Sequence, residues 1–138
     1  MNQIEEIRQD LSEKIGPENV KMDHMNGDDI LNVPPSKVRE VVEHFKLNKR
    51  FDFLMDVCGA DYPEREKRFD VVYNFYSSKD NRRLRMKTQV GENESLPSVT
   101  PVWKGANFFE RETFDMFGIK FDGHPYLKRI LLHEEFVG

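Results

Sequence analysis

Apolar positions recur along this 138-residue chain with two different periods, and the alternation between them predicts its elements. Residues 3–15 carry Ile4, Ile7, Leu11 and Ile15 at helical spacing, with Asn2 and Glu5 placed to cap the first turn and Gly16-Pro17 to end the helix. Val20, Met22 and His24 then follow the two-residue period of a strand. Gly27-Asp28-Asp29 provides a turn, and Ile30 to Val33 returns as the second arm of a hairpin. Pro34-Pro35-Ser36 breaks the sheet and opens a helix whose buried stripe is Val38, Val41, Val42 and Phe45. Phe51 to Val57 reads as a short strand, residues 58–63 as a loop and 64–68 as a charged hairpin tip. Phe69 to Tyr76 is apolar on both alternating faces and predicts a central strand covered on both sides. After a turn at 77–81, the run Arg83 to Val90 places Leu84, Met86, Thr88 and Val90 inward and Arg83, Arg85, Lys87 and Gln89 outward.

The remainder is less regular. Residues 91–97 read as a polar loop and 98–103 as a short helical turn with a Ser cap and an early Pro. Residues 106–117 form a helix that Gly118 terminates in the left-handed conformation, with Ala106, Phe109, Thr113, Met116 and Phe117 as its inward face. Gly123 and Pro125 then force an irregular, extended path. Helices and strands do not alternate strictly, which disfavours a doubly wound parallel fold. The expected class is α+β: a two-layer sandwich with helices packed on a five-stranded mixed sheet and an irregular C-terminal tail, residues 1–138 forming a single domain.

Composition narrows the functional classes. A net charge of −4 argues against a general nucleic-acid binder, which is usually basic. The single cysteine, Cys58, excludes a disulfide framework and a cysteine-rich zinc or iron–sulfur site, fits a reducing compartment and reads as a buried thiol at a strand end. The first residues contain no apolar segment of the secretory type, and no window reaches the length of a membrane span. Phosphate-binding glycine loops, G-x-S-x-G, C-x-x-C and H-E-x-x-H are absent from the sequence. His24, His44 and His133 are scattered and read as surface or satisfied residues.

One stretch stands apart. Residues 108–129 hold five of the eleven phenylalanines together with four acidic and four basic side chains. Glu110, Glu112, Asp115 and His124 have the composition of an acid–base or metal cluster, and Glu112 and Asp115 share a helix face. The competing reading pairs these charges with Arg111, Lys128 and Arg129, Arg111 and Asp115 having the spacing of a helical ion pair. The aromatics exceed what one short helix buries beneath itself. Aromatics beside paired charges are the composition of a protein–protein interface centre, unless the tail folds back over them. The outward row Arg83, Arg85, Lys87, with Lys79 and Arg82, reads as a solvated or interface strand face, for no stacking aromatic is interleaved with it.

The same residues carry a family resemblance. Glu110-Arg111-Glu112, then Asp115-Met116-Phe117, Gly118-Ile119, Gly123-His124-Pro125 and Lys128-Arg129-Ile130 resemble the signature of the C subunit of respiratory complex I, NADH-quinone oxidoreductase, called the 30-kilodalton subunit in mitochondria. Asp56 to Tyr62, Phe69 to Tyr76 and Ser98 to Ala106 are similar to that family too. The resemblance implies an oxidoreductase subunit of the peripheral arm with no catalytic residue, metal or cofactor of its own, the complex carrying FMN and iron–sulfur clusters on other subunits. It implies the D and B subunits of complex I as partners, the I subunit being a further candidate. Interface positions are implied at Glu110, Arg111, Glu112, Asp115, Phe117, Gly118, Gly123, His124, Pro125, Lys128 and Arg129. It also implies a place at the cytoplasmic side of the membrane, reached through the complex. The family's further Gly-His-Pro-Leu-Arg-Lys-like run is expected to be lacking after Leu131-Leu132. Two alternatives remain open: the equivalent subunit of a group 4 membrane-bound hydrogenase or ferredoxin-dependent relative, and a stand-alone enzyme using Glu112, Asp115 and His124.

Overall fold

A computed structural model describes residues 3–25, 27–48 and 51–124. The chain runs α1 (Gln3–Ile15), β1 (Lys21–Met25), β2 (Asp28–Asn32), α2 (Val38–Leu47), β3 (Phe53–Asp61), β4 (Phe69–Ser77), β5 (Arg82–Val90), β6 (Ser95–Pro97), α3 (Ala106–Phe117) and β7 (Lys120–Asp122). Five strands form a mixed sheet in the order β1-β2-β5-β4-β3, and β6 and β7 form a separate two-stranded parallel sheet. The parallel pairing in the larger sheet, β2 with β5, is reached through α2, β3 and β4, so a long crossover separates the two strands.

Register explains which face is buried. Met22, Leu31, Met86, Tyr73 and Val57 lie opposite one another across all five strands. The last four are buried, and so are Phe75, Leu84, Val71 and Val90 on the same side. Ile7, Leu11 and Ile15 of α1 and Val38, Val41, Val42 and Phe45 of α2 complete this single core. Its centre is aromatic. The Phe75 ring lies 5.3 Å from Phe45, 5.7 Å from Phe51 and 5.8 Å from Trp103. Such pairs contribute about 0.5–1.5 kcal/mol each beyond the area they bury.

The opposite face is more open than expected. Val72, Asn74 and Tyr76 of β4 are only half-buried, so this strand is not covered on both sides. Cys58, expected to be buried, is exposed there beside Val72. The basic row of β5 does lie on this face, but acids of neighbouring strands compensate it: Arg85 is 3.6 Å from Asp28, and Lys87 is 4.0 Å from Asp70. That pairing weakens any reading of the row as a nucleic-acid track.

Other differences have identifiable causes. Residues 58–61, expected to be loop, extend β3, because Cys58 to Asp61 pair in register with Val72 to Phe69. Gly59 is there for packing rather than turning. A Cβ at this position would meet the Phe117 ring at 2.8 Å and Thr113 Cγ2 at 3.4 Å, so glycine lets α3 lie directly on β3. Residues 95–97 and 120–122 are strands because Leu96 and Phe121 pair and are both buried. Residues 98–103 form turns rather than a regular helix, with Val102 N and Trp103 N both donating to Val99 O. The charged hairpin tip at 64–68 is as expected. It is tied down by Arg68, which forks onto Asp61 at 2.6 and 2.8 Å and reaches Glu92 at 2.6 Å.

Candidate docking surface

The surface is built on α3. Its interior contains no Gly or Pro, and Gly118 ends it at φ 73°, donating its N–H to Phe114 O at 2.8 Å. The helix buries a stripe of Ala106, Glu110 and Thr113, with Phe117 half-buried beneath its last turn and its ring 5.9 Å from that of Phe69. Thr113 satisfies its hydroxyl on its own helix, donating to Phe109 O at 2.9 Å.

Glu110 is the residue that sequence reasoning misplaced. Treated as one of the paired surface charges, it is instead fully buried, 0% exposed. Both carboxyl oxygens face the segment before the helix. Ser98 Oγ lies 2.7 Å from Oε1, and Val99 N–H donates to Oε2 at 2.8 Å. Burial pushes the carboxyl up to about 7, while the hydrogen bonds from Val99 and Ser98 pull in the other direction. The signal that would have found it is the spacing of Ala106, Glu110, Thr113 and Phe117, a helical stripe that includes a glutamate, facing a Ser/Thr-containing segment upstream.

Outward, α3 presents Phe108, 61% exposed, and Met116, 78% exposed, with Arg111, Glu112 and Asp115 exposed between them. Met116 was expected on the inward face and lies on the outer one. Among the described residues no ion pair joins Arg111 to Asp115, so the expected helical pair does not form. Phe108 packs edge-on against Phe109 with ring centroids 6.0 Å apart. The strip thus combines an aromatic, a methionine and an arginine, residue types enriched at protein–protein interfaces, with two acids suited to a polar rim.

After Gly118, β7 returns the chain along β6, with Ser98 N–H donating to Asp122 O at 2.9 Å and Ser95 Oγ to Asp122 Oδ2 at 2.6 Å. Gly123 takes φ 85°, and His124 Nε2 lies 3.0 Å from Asn107 O at the start of α3. His124 therefore lies beside the first turn of the helix that precedes it. Pro125, Lys128 and Arg129 lie outside the described residues, as does His133. His124 is not brought to Glu112 and Asp115: its ring sits on the first turn of α3, about 7–12 Å back along the axis at 1.5 Å per residue. Among the described residues no group of three or more His, Cys, Asp and Glu is placed to hold a metal ion. The open sheet face has a cavity of about 200 Å³ lined by Asp28, Met55, Asp56, Asn74, Arg83 and Arg85, but its polar groups engage one another, Asn74 donating to Asp56 at 2.6 Å.

Comparison with known proteins places this geometry. Residues 31–138 match the family model described as the respiratory-chain NADH dehydrogenase 30 Kd subunit. The NADH-quinone oxidoreductase C/D subunit of Bdellovibrio bacteriovorus is 54% identical over 138 residues, 100% of this chain and 25% of that protein. The NADH-quinone oxidoreductase C subunit of Mesorhizobium japonicum is 47% identical over 114 residues, 81% of this chain and 57% of the relative. A probable mitochondrial NADH-ubiquinone oxidoreductase 30.4 kDa subunit of Candida maltosa is 48% identical over 108 residues, 77% of this chain and 39% of the relative. The chain thus spans a quarter to somewhat over half the length of these relatives. In structure it resembles a chain of the membrane-bound sulfane sulfur reductase, an archaeal respiratory membrane complex, with TM-score 0.72, 21% identity, and coverage of 91% of this chain and 74% of that one; this likeness speaks for the fold alone. By the family match and by these identities, the chain belongs to the family of the 30 kDa subunit of respiratory-chain NADH dehydrogenase.

Proposed function

We propose that the chain is a non-redox assembly subunit of the peripheral arm of a proton-pumping NADH-quinone oxidoreductase, in which the outer strip of α3 and the segment leaving it dock beside the quinone-site subunit. One observation carries the reading. A relative 54% identical across the whole chain is a single protein whose name joins the C and D subunits. In that protein the two share one polypeptide. In this chain His124 lies against the first turn of α3, the turn that carries the exposed Phe108.

The D subunit is therefore the proposed principal partner, with the B and I subunits as further candidates. Electron transfer would be the work of the assembled complex, with FMN and iron–sulfur clusters on other subunits and no catalytic role for this chain alone. A peripheral position on the cytoplasmic side of the membrane accords with the described residues, which include no helix long and apolar enough to cross one. The hydrogenase-type alternative draws less support, because the likeness to another respiratory membrane complex is at 21% identity while curated relatives named as NADH-quinone oxidoreductase subunits reach 54%.

An affinity-tagged chain expressed in its source cell tests the assignment. Mild solubilisation of intact membranes is expected to recover the D and B subunits at roughly equal stoichiometry. Recovery of neither would contradict it, and recovery of hydrogenase subunits instead would favour the alternative.

A further inference from the structure

The burial of Glu110 serves no docking contact, since its carboxyl faces inward. Its surroundings form a connected hydroxyl chain. Glu110 Oε1 meets Ser98 Oγ at 2.7 Å, and Ser98 Oγ meets Thr100 Oγ1 at 2.8 Å, where either oxygen is able to donate. Thr100 is half-exposed, so this chain of oxygens leads from a fully buried carboxyl to a residue that reaches the surface. Thr100 N–H also donates to Ser98 Oγ at 3.2 Å and fixes the middle member in place.

From these contacts we propose that Glu110, Ser98 and Thr100 form a proton-binding clasp that joins α3 to the 98–100 segment in both protonation states and exchanges its proton with solvent through the two hydroxyls. In the ionised state Ser98 donates to Glu110 and Thr100 donates to Ser98. In the protonated state the direction reverses: Glu110 donates to Ser98, Ser98 to Thr100, and Thr100 turns its hydrogen outward. Uptake is balanced, one proton entering from water at Thr100 as one reaches Glu110 Oε1. Val99 N–H remains on Oε2 in both states.

Among the described residues no opposing charge holds the carboxylate ionised. From β4 the Tyr73 hydroxyl faces it, fully buried and without a hydrogen-bond partner, pushed up by burial first and by the charge of Glu110 second. On β3, Asp56 is engaged by Asn74 and Asp61 by Arg68, and Cys58 is exposed. On β7, Lys120 and Asp122 are exposed. From α2, Lys46 donates to Val102 O rather than to Glu110. With no described residue compensating the negative charge, a dry site favours the neutral form. The carboxyl's upward displacement to about 7 agrees with that.

The sign follows. A carboxyl whose folded value lies above its unfolded one binds more protons when folded, so its contribution to stability is full at low pH and is lost as pH rises through about 4.5 to about 7. The test is a carboxyl-carbon NMR titration of the glutamate-labelled chain, with urea unfolding of the native chain and of Glu110→Gln between pH 4.5 and 8. The Glu110 signal is expected to titrate near neutrality, and Glu110→Gln is expected to remove the native chain's fall in unfolding midpoint over that interval. Ser98→Ala, which deletes a bond that favours the ionised form, is expected to move the titration higher still. A Glu110 midpoint in the ordinary carboxylate range would overturn the clasp, as would an unchanged pH slope in a folded Glu110→Gln chain. Should Glu110→Gln fail to fold, the native chain's carboxyl titration and its shift in Ser98→Ala decide the matter alone. The clasp is independent of the docking reading and is tested in the unassembled chain.

Discussion

Replacing Phe108 by Glu and Met116 by Lys together is expected to abolish co-purification of the chain with the D and B subunits while leaving its fold intact. The two positions are 61% and 78% exposed, so neither substitution removes a core contact. Surface changes of this kind usually alter stability by no more than about 0.5 kcal/mol. The charges are also placed with the helix rather than against it. An acid in the first turn of α3 and a base in its last complement the partial charges at the helix ends, and the net charge is unchanged. Docking is another matter. Truncating an apolar anchor at an interface centre costs about 2 kcal/mol or more, and burying a new charge there adds a desolvation penalty. Even with imperfect additivity, affinity is expected to fall by at least about 100-fold, enough to empty a pull-down. A variant that unfolds, or one that assembles normally, would contradict the assignment of this strip.

The second large effect lies inside the molecule. Phe75→Ala is expected to destabilise the chain by about 3–5 kcal/mol, the range for losing a fully enclosed aromatic ring. Phe75 is 0% exposed and joins the rings of Phe45, Phe51 and Trp103, which come from α2, the segment entering β3, and the turns preceding α3. Its removal therefore opens a cavity where three otherwise separate parts of the chain meet. Domains of this size have only about 5–15 kcal/mol in total, so the loss is a large share. Equilibrium unfolding in urea measures it: the midpoint should drop with the denaturant slope unchanged. A loss under about 1 kcal/mol would show that the ring cluster is not the centre of the core.

Much of this architecture was legible in the sequence because it is periodic. The alternation of Leu84, Met86, Thr88 and Val90 marked the buried face of β5, and all four are buried. The stripe of α2 and the span Ala106–Phe117 with its terminating glycine also stood as read. What was missed depends on contacts distant in sequence. β6 and β7 are too short to carry a period, and Leu96 and Phe121 meet only in the folded chain. Gly59 was read as part of a loop, yet it lies in β3 and its lack of a side chain is required by the ring of Phe117. Met116 and Phe117 are adjacent on α3, and the boundary between the buried and exposed sides falls between them.

The interface composition of residues 108–117 was legible, but not its internal division. Charge balance alone treated Glu110, Arg111, Glu112 and Asp115 as equivalent. The structure separates a buried carboxyl that ties α3 to the 98–100 segment from three exposed charges on the outer strip. A buried glutamate is conspicuous only once its partners Ser98 and Val99 are brought alongside. The resemblance to the 30 kDa subunit named the signature residues without saying which face inward, and that distinction decides which of them are available to a partner.

Docking through the outer strip of α3 is tested by photo-crosslinking in the native membrane. A photoreactive amino acid would be placed at 108, at 116, and at the exposed control position Gln9 on α1. A covalent adduct with the D subunit is expected from position 108 or 116 and none from position 9. Adducts from position 9 alone, or none with any member of the respiratory complex from 108 and 116, would contradict it.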